Sequence, residues 1–240
     1  MTSNVNRRDF LQTSAALGAA TVAAAVAASG SASAAGEPAA KASPTYTVKP
    51  LPFEPGKIKG FSEKILTSHY ENNYGGAVKR LNAISEQLAA LDWDKAPVFT
   101  INGLKREELI ATNSMILHEI YFAGLGEPNQ PGAALSAAIA HDFGGLDKWH
   151  SEFVAMGKAL GGGSGWVLLT YSPRDKRLVN SWAADHTMTV AGGDPILALD
   201  MYEHAYHMDF GTKAADYVAA VMNTLNWTNA DKLYERASGA

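Results

Sequence analysis

Cysteine is absent from the 240-residue chain. That excludes disulfides, thiolate nucleophiles, zinc fingers and iron–sulfur clusters together. It also suits a chain that must survive an oxidising compartment. Charge is sparse, at 18% of residues, and its balance is slightly acidic, at a formal net −4. That balance argues against a nucleic-acid partner, which calls for a basic face. No apolar run is long enough to cross ~30 Å of hydrocarbon. The weakly apolar stretch from Ala15 to Ala28 is about 14 residues, so no membrane span is expected in the mature protein. A hydrophobic content of 47% is ordinary for a globular protein. The length suits one or two small domains, and no internal repeat is visible.

The N-terminus reads as an address. Asn6-Arg7-Arg8-Asp9-Phe10-Leu11 precedes the Ala-rich stretch, and Ala32-Ser33-Ala34 reads as an A-x-A cleavage site. The paired arginines, then Phe-Leu, then a weak apolar run resemble a twin-arginine export signal. Residues 1–34 are therefore expected to be removed, leaving 18 basic against 23 acidic side chains. Such a signal implies passage through the twin-arginine machinery to a periplasmic or extracellular location. That route carries folded proteins, so a cofactor can be loaded before export. Residues 35–50, rich in Ala, Ser, Pro and Lys, read as a flexible lead-in.

Phe61 to Leu91 reads as one long helix, with Ile65, Ile84, Leu88 and Leu91 on its apolar stripe and Leu81 beside it. Pro97 and Asn102-Gly103 read as breaks, and a second helix is expected from about Lys105 to Leu125. Gly126, Pro128, Pro131 and Gly132 mark a linker between a helical hairpin domain (51–126) and a C-terminal domain (133–240). The second half is mixed. Short helices are expected near 133–141 and 145–159, and strands at 165–171 and 177–183, turning at Pro173-Arg174-Asp175. A third apolar run, Ile196 to Met201, leads into short helices ending near Arg236. The fold class is therefore α+β: a helical hairpin followed by an α/β domain with a small antiparallel sheet.

Four residues invite chemistry. His69 lies on the inward stripe of the first helix, four residues after Ile65. His118 lies within the second helix beside Leu117. Asp200 ends the apolar run Pro195-Ile196-Leu197-Ala198-Leu199, and His204 follows four residues later. Either early histidine alone reads as a hydrogen-bonded core residue. A carboxylate ending a buried strand is different, because it costs several kcal/mol unless paired or metal-bound. Three imidazoles and one carboxylate without sulfur suit Fe, Mn or Zn. His141, His150 and His186 have no useful spacing and read as solvated or capping residues. Gly161 to Gly165 lacks the Lys-Ser/Thr ending of a phosphate loop and reads as a turn.

Asp200-Met201-Tyr202-Glu203-His204-Ala205-Tyr206-His207 resembles the D-x-W-E-H-A-Y-Y signature of the iron/manganese superoxide dismutases. Leu51-Pro52-Phe53 is similar to the family's L-P-Y opening, and His118-Glu119-Ile120-Tyr121-Phe122 to its H-x-x-Y-W. His69 stands thirteen residues before Asn82, as the first ligand does before the family's matching asparagine. Asp142-Phe143-Gly144-Gly145, Gly163-Ser164-Gly165-Trp166 and Leu225-Asn226-Trp227 match further blocks. The resemblance implies a homodimer holding one Fe or Mn ion per subunit on His69, His118, Asp200 and His204. It also implies superoxide as the substrate. Glu203 is the residue that the resemblance bonds to the metal-ligating histidine of the other subunit.

Around those ligands the chain departs from the family pattern. Asn73 stands for a histidine and Ala77 for a tyrosine that guards the substrate funnel. Gly162 and Ser114 match the two places from which the family brings a glutamine toward the metal. Phe122 and Tyr202 replace tryptophans, and His207 replaces the last tyrosine of the signature. Ala214 matches a funnel arginine. Asn73 and His207 look like a paired exchange, with a contact between them expected in place of the family's interface link. Loss of the Ala77-position phenol is expected to widen the entrance. Gly75 and Gly76 each cost ~1 kcal/mol in a helix relative to Ala, which a close backbone approach would explain. Three functions stay open: an exported superoxide dismutase, a metalloenzyme of other redox or hydrolytic chemistry on the same scaffold, and a non-catalytic metal-binding protein.

Overall fold

The computed structural model describes residues 44–239. The expected export signal and most of the expected lead-in fall outside the described residues. The first long helix is there, in three consecutive parts: α1 (Glu63–Ser68), a π-helical segment (His69–Tyr74) and α2 (Gly75–Ala89). Ser62 starts it, its hydroxyl accepting from the Ile65 amide at 3.1 Å, with Glu63 in the first turn favoured by the helix dipole. Ser62 is itself held by Asp209, whose carboxylate accepts from its amide and hydroxyl at 2.6 and 2.7 Å. Val78, Leu81, Ile84 and Leu88 form the buried stripe of α2, the i, i+3, i+7 rows of an amphipathic helix.

The second helix, α3 (Val98–Ala123), begins seven residues before the expected Lys105 and ends at Ala123. Pro97 caps its start, where a fixed φ and a missing N–H do no harm. Asn102 and Gly103 lie inside it and are exposed. A penalty of ~1 kcal/mol for glycine does not end a helix whose C-terminal half is packed nearly all round: Ala111, Ser114, Met115, Leu117, His118, Ile120, Tyr121 and Phe122 are all buried. That half lies between α2 and the sheet.

The C-terminal half begins with α4 (Ala133–Phe143) and α5 (Leu146–Ala159). Three strands follow, β1 (Trp166–Ser172), β2 (Arg177–Ala183) and β3 (Asp194–Asp200), in the order β2-β1-β3 with both pairs antiparallel. Every residue of β1 is buried, as a central strand covered on both faces requires. The register sets Trp166 opposite Ala183 on one side and Asp200 on the other, so the start of β1 lies beside the carboxylate that ends β3. A 3₁₀ turn (Glu203–Ala205), a short α6 (His207–Phe210), α7 (Ala214–Asn223) and α8 (Thr228–Ser238) complete the chain. Among the described residues, no helix is long and apolar enough to cross a membrane.

Gly165 is the tightest point of this frame. Its φ is +132°, and a Cβ there would stand 2.1 Å from the Ala183 carbonyl oxygen. Its own carbonyl accepts from the Met201 amide at 2.9 Å, which anchors the residue after Asp200. Gly165→Ala is expected to lower unfolding stability by about 3 kcal/mol or more. Thermal denaturation checks this, and an unchanged midpoint would refute the packing argument.

Candidate metal centre

The ligand-like side chains reach one point from three directions. His69 opens the π segment, His118 comes from the packed end of α3, and Asp200 and His204 come from the end of β3 and the 3₁₀ turn after it. His69, His118 and Asp200 are buried, and His204 is partly so. One ligand atom from each of the four lies within 4.8 Å of all the others. Asp200 Oδ2 is the hub: His69 Nε2 stands 3.1 Å from it, His204 Nε2 3.2 Å and His118 Nε2 3.5 Å. Two donor atoms each about 2.1 Å from a shared ion, at about 90–120° to one another, stand about 3.0–3.6 Å apart. All three contacts fall in that range.

The protonation pattern points the same way. His118 Nδ1 lies 2.7 Å from the Ser114 carbonyl, so Nδ1 carries the proton and Nε2 a lone pair. That Nε2 is buried without a hydrogen-bond partner, and so is His69 Nδ1. Burial holds the His69 imidazole below its ordinary pKa and pushes that of His118 down to about 3. Burial alone would raise Asp200, but hydrogen bonds from His204 and His69 more than offset it and keep the carboxyl below its usual range. The result is a carboxylate facing a neutral imidazole lone pair with no proton between them. A cation among the four satisfies that arrangement, and the N₃O donor set without sulfur fits Fe, Mn or Zn.

Surrounding groups fix the geometry. Asp200 Oδ1 accepts from the Tyr202 amide at 2.8 Å. The Tyr217 hydroxyl donates to the Asp200 main-chain oxygen at 2.6 Å, with the Tyr121 hydroxyl 3.3 Å away. Burial raises both phenols, so they stay protonated. Phe122 packs against His69 at 5.0 Å between ring centroids, and Tyr202 stacks on His204 at 5.3 Å. Tyr70 and Tyr74 face away: Tyr70 donates to the Lys49 carbonyl, and Tyr74 to Glu119.

A cavity of about 250 Å³ opens onto this centre, lined by Asn73, Ala77, Ser114, His118 and His204 among others. Ala77 and Gly76 leave it unobstructed, and a Cβ on Gly76 would meet nothing within 4 Å. The buried Gly75 instead closes the π segment, its N–H bonded to the Tyr70 carbonyl five residues back. Gly162 does not reach the cavity: it is exposed, at φ +80°, in the turn before β1. Glu203 and His207 are exposed beside the centre.

His186 corrects the sequence reading, which took it for a solvated or capping residue. It lines the cavity and its Nδ1 accepts from Trp166 Nε1 at 3.0 Å. Its ring stacks on Tyr202 at 4.8 Å and stands 6.2 Å from His118. Burial lowers its pKa, so the neutral ring carries its proton on Nε2. Its only sequence signal is position, a histidine just after the second strand of a hairpin whose first strand begins at Trp166. His141 and His150 are exposed, as expected.

Comparison with known proteins agrees with this geometry. Residues 131–233 match the model of the iron/manganese superoxide dismutases, C-terminal domain. A relative described as superoxide dismutase [Fe] from Cupriavidus metallidurans is 68% identical over 185 residues, 77% of this chain and 94% of its own length. The chain belongs to the iron/manganese superoxide dismutase family. Superoxide dismutase [Mn] 2 of Haloferax volcanii is 32% identical over 80% of this chain and 97% of the relative. An iron superoxide dismutase of Aquifex pyrophilus is 32% identical over 78% and 90%. The family thus includes relatives named for either metal.

Acid titration checks the buried imidazoles. In the unfolded chain His118 takes a proton near its ordinary 6.5, but in the folded chain only near 3. Between those values the unfolded state binds more protons, so stability falls as pH falls. His69 acts in the same direction. After chelation, the urea midpoint is expected to drop steadily from pH 7 to about 4. In His118→Gln that drop is expected to shrink, and an equal slope in both proteins would contradict the assignment.

Proposed function

We propose that the protein is an exported superoxide dismutase, turning superoxide into dioxygen and hydrogen peroxide at one Fe or Mn ion per subunit. The observation that carries this is the buried convergence of His69, His118, His204 and Asp200 in a chain of this family. His69 Nε2, His118 Nε2, His204 Nε2 and Asp200 Oδ2 would hold the ion. The donor set suits both metals, and the 68% identical relative is described as an iron enzyme, which favours iron. When bound, such an ion supplies the one-electron exchange of the two half-reactions.

The chain's own groups do the rest. Asp200 Oδ2 and three uncharged imidazoles leave a di- or trivalent cation with net positive charge, which favours an anionic substrate. His186 presents an N–H donor toward the cavity, held in that tautomer by Trp166. The Ser114 hydroxyl stands on the same wall. Burial and the Asp200 charge push the Tyr202 phenol up to about 12, so Tyr202 keeps its proton and acts as a stacked support between His186 and His204. The exposed Glu203 and His207 support a homodimer in which a second copy covers this side of the centre.

The Arg7-Arg8 pair, the Ala-rich run and Ala32-Ser33-Ala34 support twin-arginine export, with a periplasmic or extracellular mature protein. A second reading, oxidation or hydrolysis of a larger substrate, is favoured by a 250 Å³ cavity with Ala77 and Gly76 at its side.

Metal content and superoxide consumption of the exported protein test the assignment against Asp200→Ala. About one Fe or Mn per chain is expected, with activity falling at least ~100-fold in the variant as metal is lost. Bound redox metal without superoxide turnover would move the reading to the larger substrate. Replacing Arg7 and Arg8 by lysine is expected to leave an uncleaved chain in the cytoplasm. Unimpaired export of that variant, seen by cell fractionation, would overturn the localisation.

A further inference from the structure

Among the described residues lining the cavity, Arg80 alone is charged at every physiological pH; Asn72, Asn73, Gly76, Ala77, Ile110, Ala111 and Ser114 are neutral, and no carboxylate lines it. Arg80 stands three residues after Ala77 and seven after Asn73, on the same face of the helix. Its guanidinium is bonded to Glu107 of α3, which does not itself line the cavity, and Glu107 also lies 3.6 Å from Arg106. Arg80 is 55% exposed and Glu107 31%.

Three features make this a recruiting device. The chain as a whole is anionic, at −4, so an approaching anion is repelled until a local positive field takes over. The cavity has room for several water molecules at about 30 Å³ each, so the walls do not select a small ligand by size. An exposed ion pair is weak, about 0–1 kcal/mol, so an incoming anion can take the place of Glu107 on the guanidinium.

We propose that Arg80 is the anion-selecting residue of this protein. It captures small anions at the mouth and delivers them toward His186 and the four-residue centre, with Glu107 as the internal competitor that the anion displaces. The proposal rests on the cavity being the substrate path of the metal centre. It extends that reading by naming a cation on α2 as the determinant of charge specificity.

Azide is the probe, titrated by calorimetry into the iron-loaded full-length protein at low and at physiological ionic strength. Arg80→Gln is expected to weaken azide binding about tenfold at low salt and to flatten its salt dependence. Glu107→Gln is expected to strengthen binding by freeing the guanidinium. Arg80→Lys, which keeps the charge and loses the fork, is expected to fall between. kcat/KM for superoxide is expected to follow the same order. Unchanged affinity and salt slope in a fully metallated Arg80→Gln protein would overturn the proposal. So would a Glu107→Gln protein that weakens together with Arg80→Gln, because the pair would then be only a structural clasp. If Arg80→Gln loses its metal, the lysine and Glu107 variants decide, and wild-type azide binding in both refutes it. Azide binding in the expected order without superoxide consumption would sink the dismutase reading and leave the role of Arg80 standing.

Discussion

One oxygen atom organises this protein. Asp200 Oδ2 has three imidazole nitrogens within 3.5 Å of it, in a position where water cannot solvate the charge. A buried carboxylate survives only with compensation, and hydrogen bonds from His69 and His204 supply part of it. His118 supplies none, since its proton is spent on the Ser114 carbonyl. The centre is therefore built as a negative pole with a gap for a positive one. The elements that meet there, the first helix, α3 and the end of β3, are the ones whose packing makes the core. An ion that filled the gap would tie the hairpin to the sheet, so folding and metal binding are coupled through a single atom.

The scaffold invests most of its order in that atom's surroundings. β1 is buried throughout and its register places Trp166 beside Asp200. Trp166 then reaches back through its indole N–H to His186. Tyr217, kept protonated by burial, grips the Asp200 main chain, with the Tyr121 hydroxyl beside its own. Each support comes from a different element, which holds the ligand set without asking any one loop to be rigid.

Much of this was legible in the residues. The apolar stripe of Ile65, Leu81, Ile84 and Leu88 and the apolar runs of the second half pointed to the helices and the sheet, and the carboxylate ending a strand drew attention to Asp200, while the set of four side chains came from the family resemblance. Asn102-Gly103 misled because local propensity weighs little against the packing of the far half of α3. His186 was missed for a different reason. A loop side chain has no period to betray its direction, and its role depends on the β1–β2 register. Arg80 carried no signal either, since a charge on an amphipathic helix ordinarily faces solvent. The departures at Asn73, Ala77, Phe122 and Tyr202 do not take the chain out of the family, since a relative 68% identical over most of its length is described as a superoxide dismutase.

The π-helical segment from His69 to Tyr74 divides the labour of one helix. A turn closed five residues apart holds more chain than a 3.6-residue turn, so every side chain beyond it is rotated relative to an uninterrupted spiral. Residues upstream, Ile65 and Leu66, are aimed into the core; residues downstream, Ala77 and Arg80, are aimed at the opening. The two halves share an axis but not a phase. The bearing of the doorway is thus set by six positions, half of which are neither ligand nor cavity lining, like an offset cut into a camshaft.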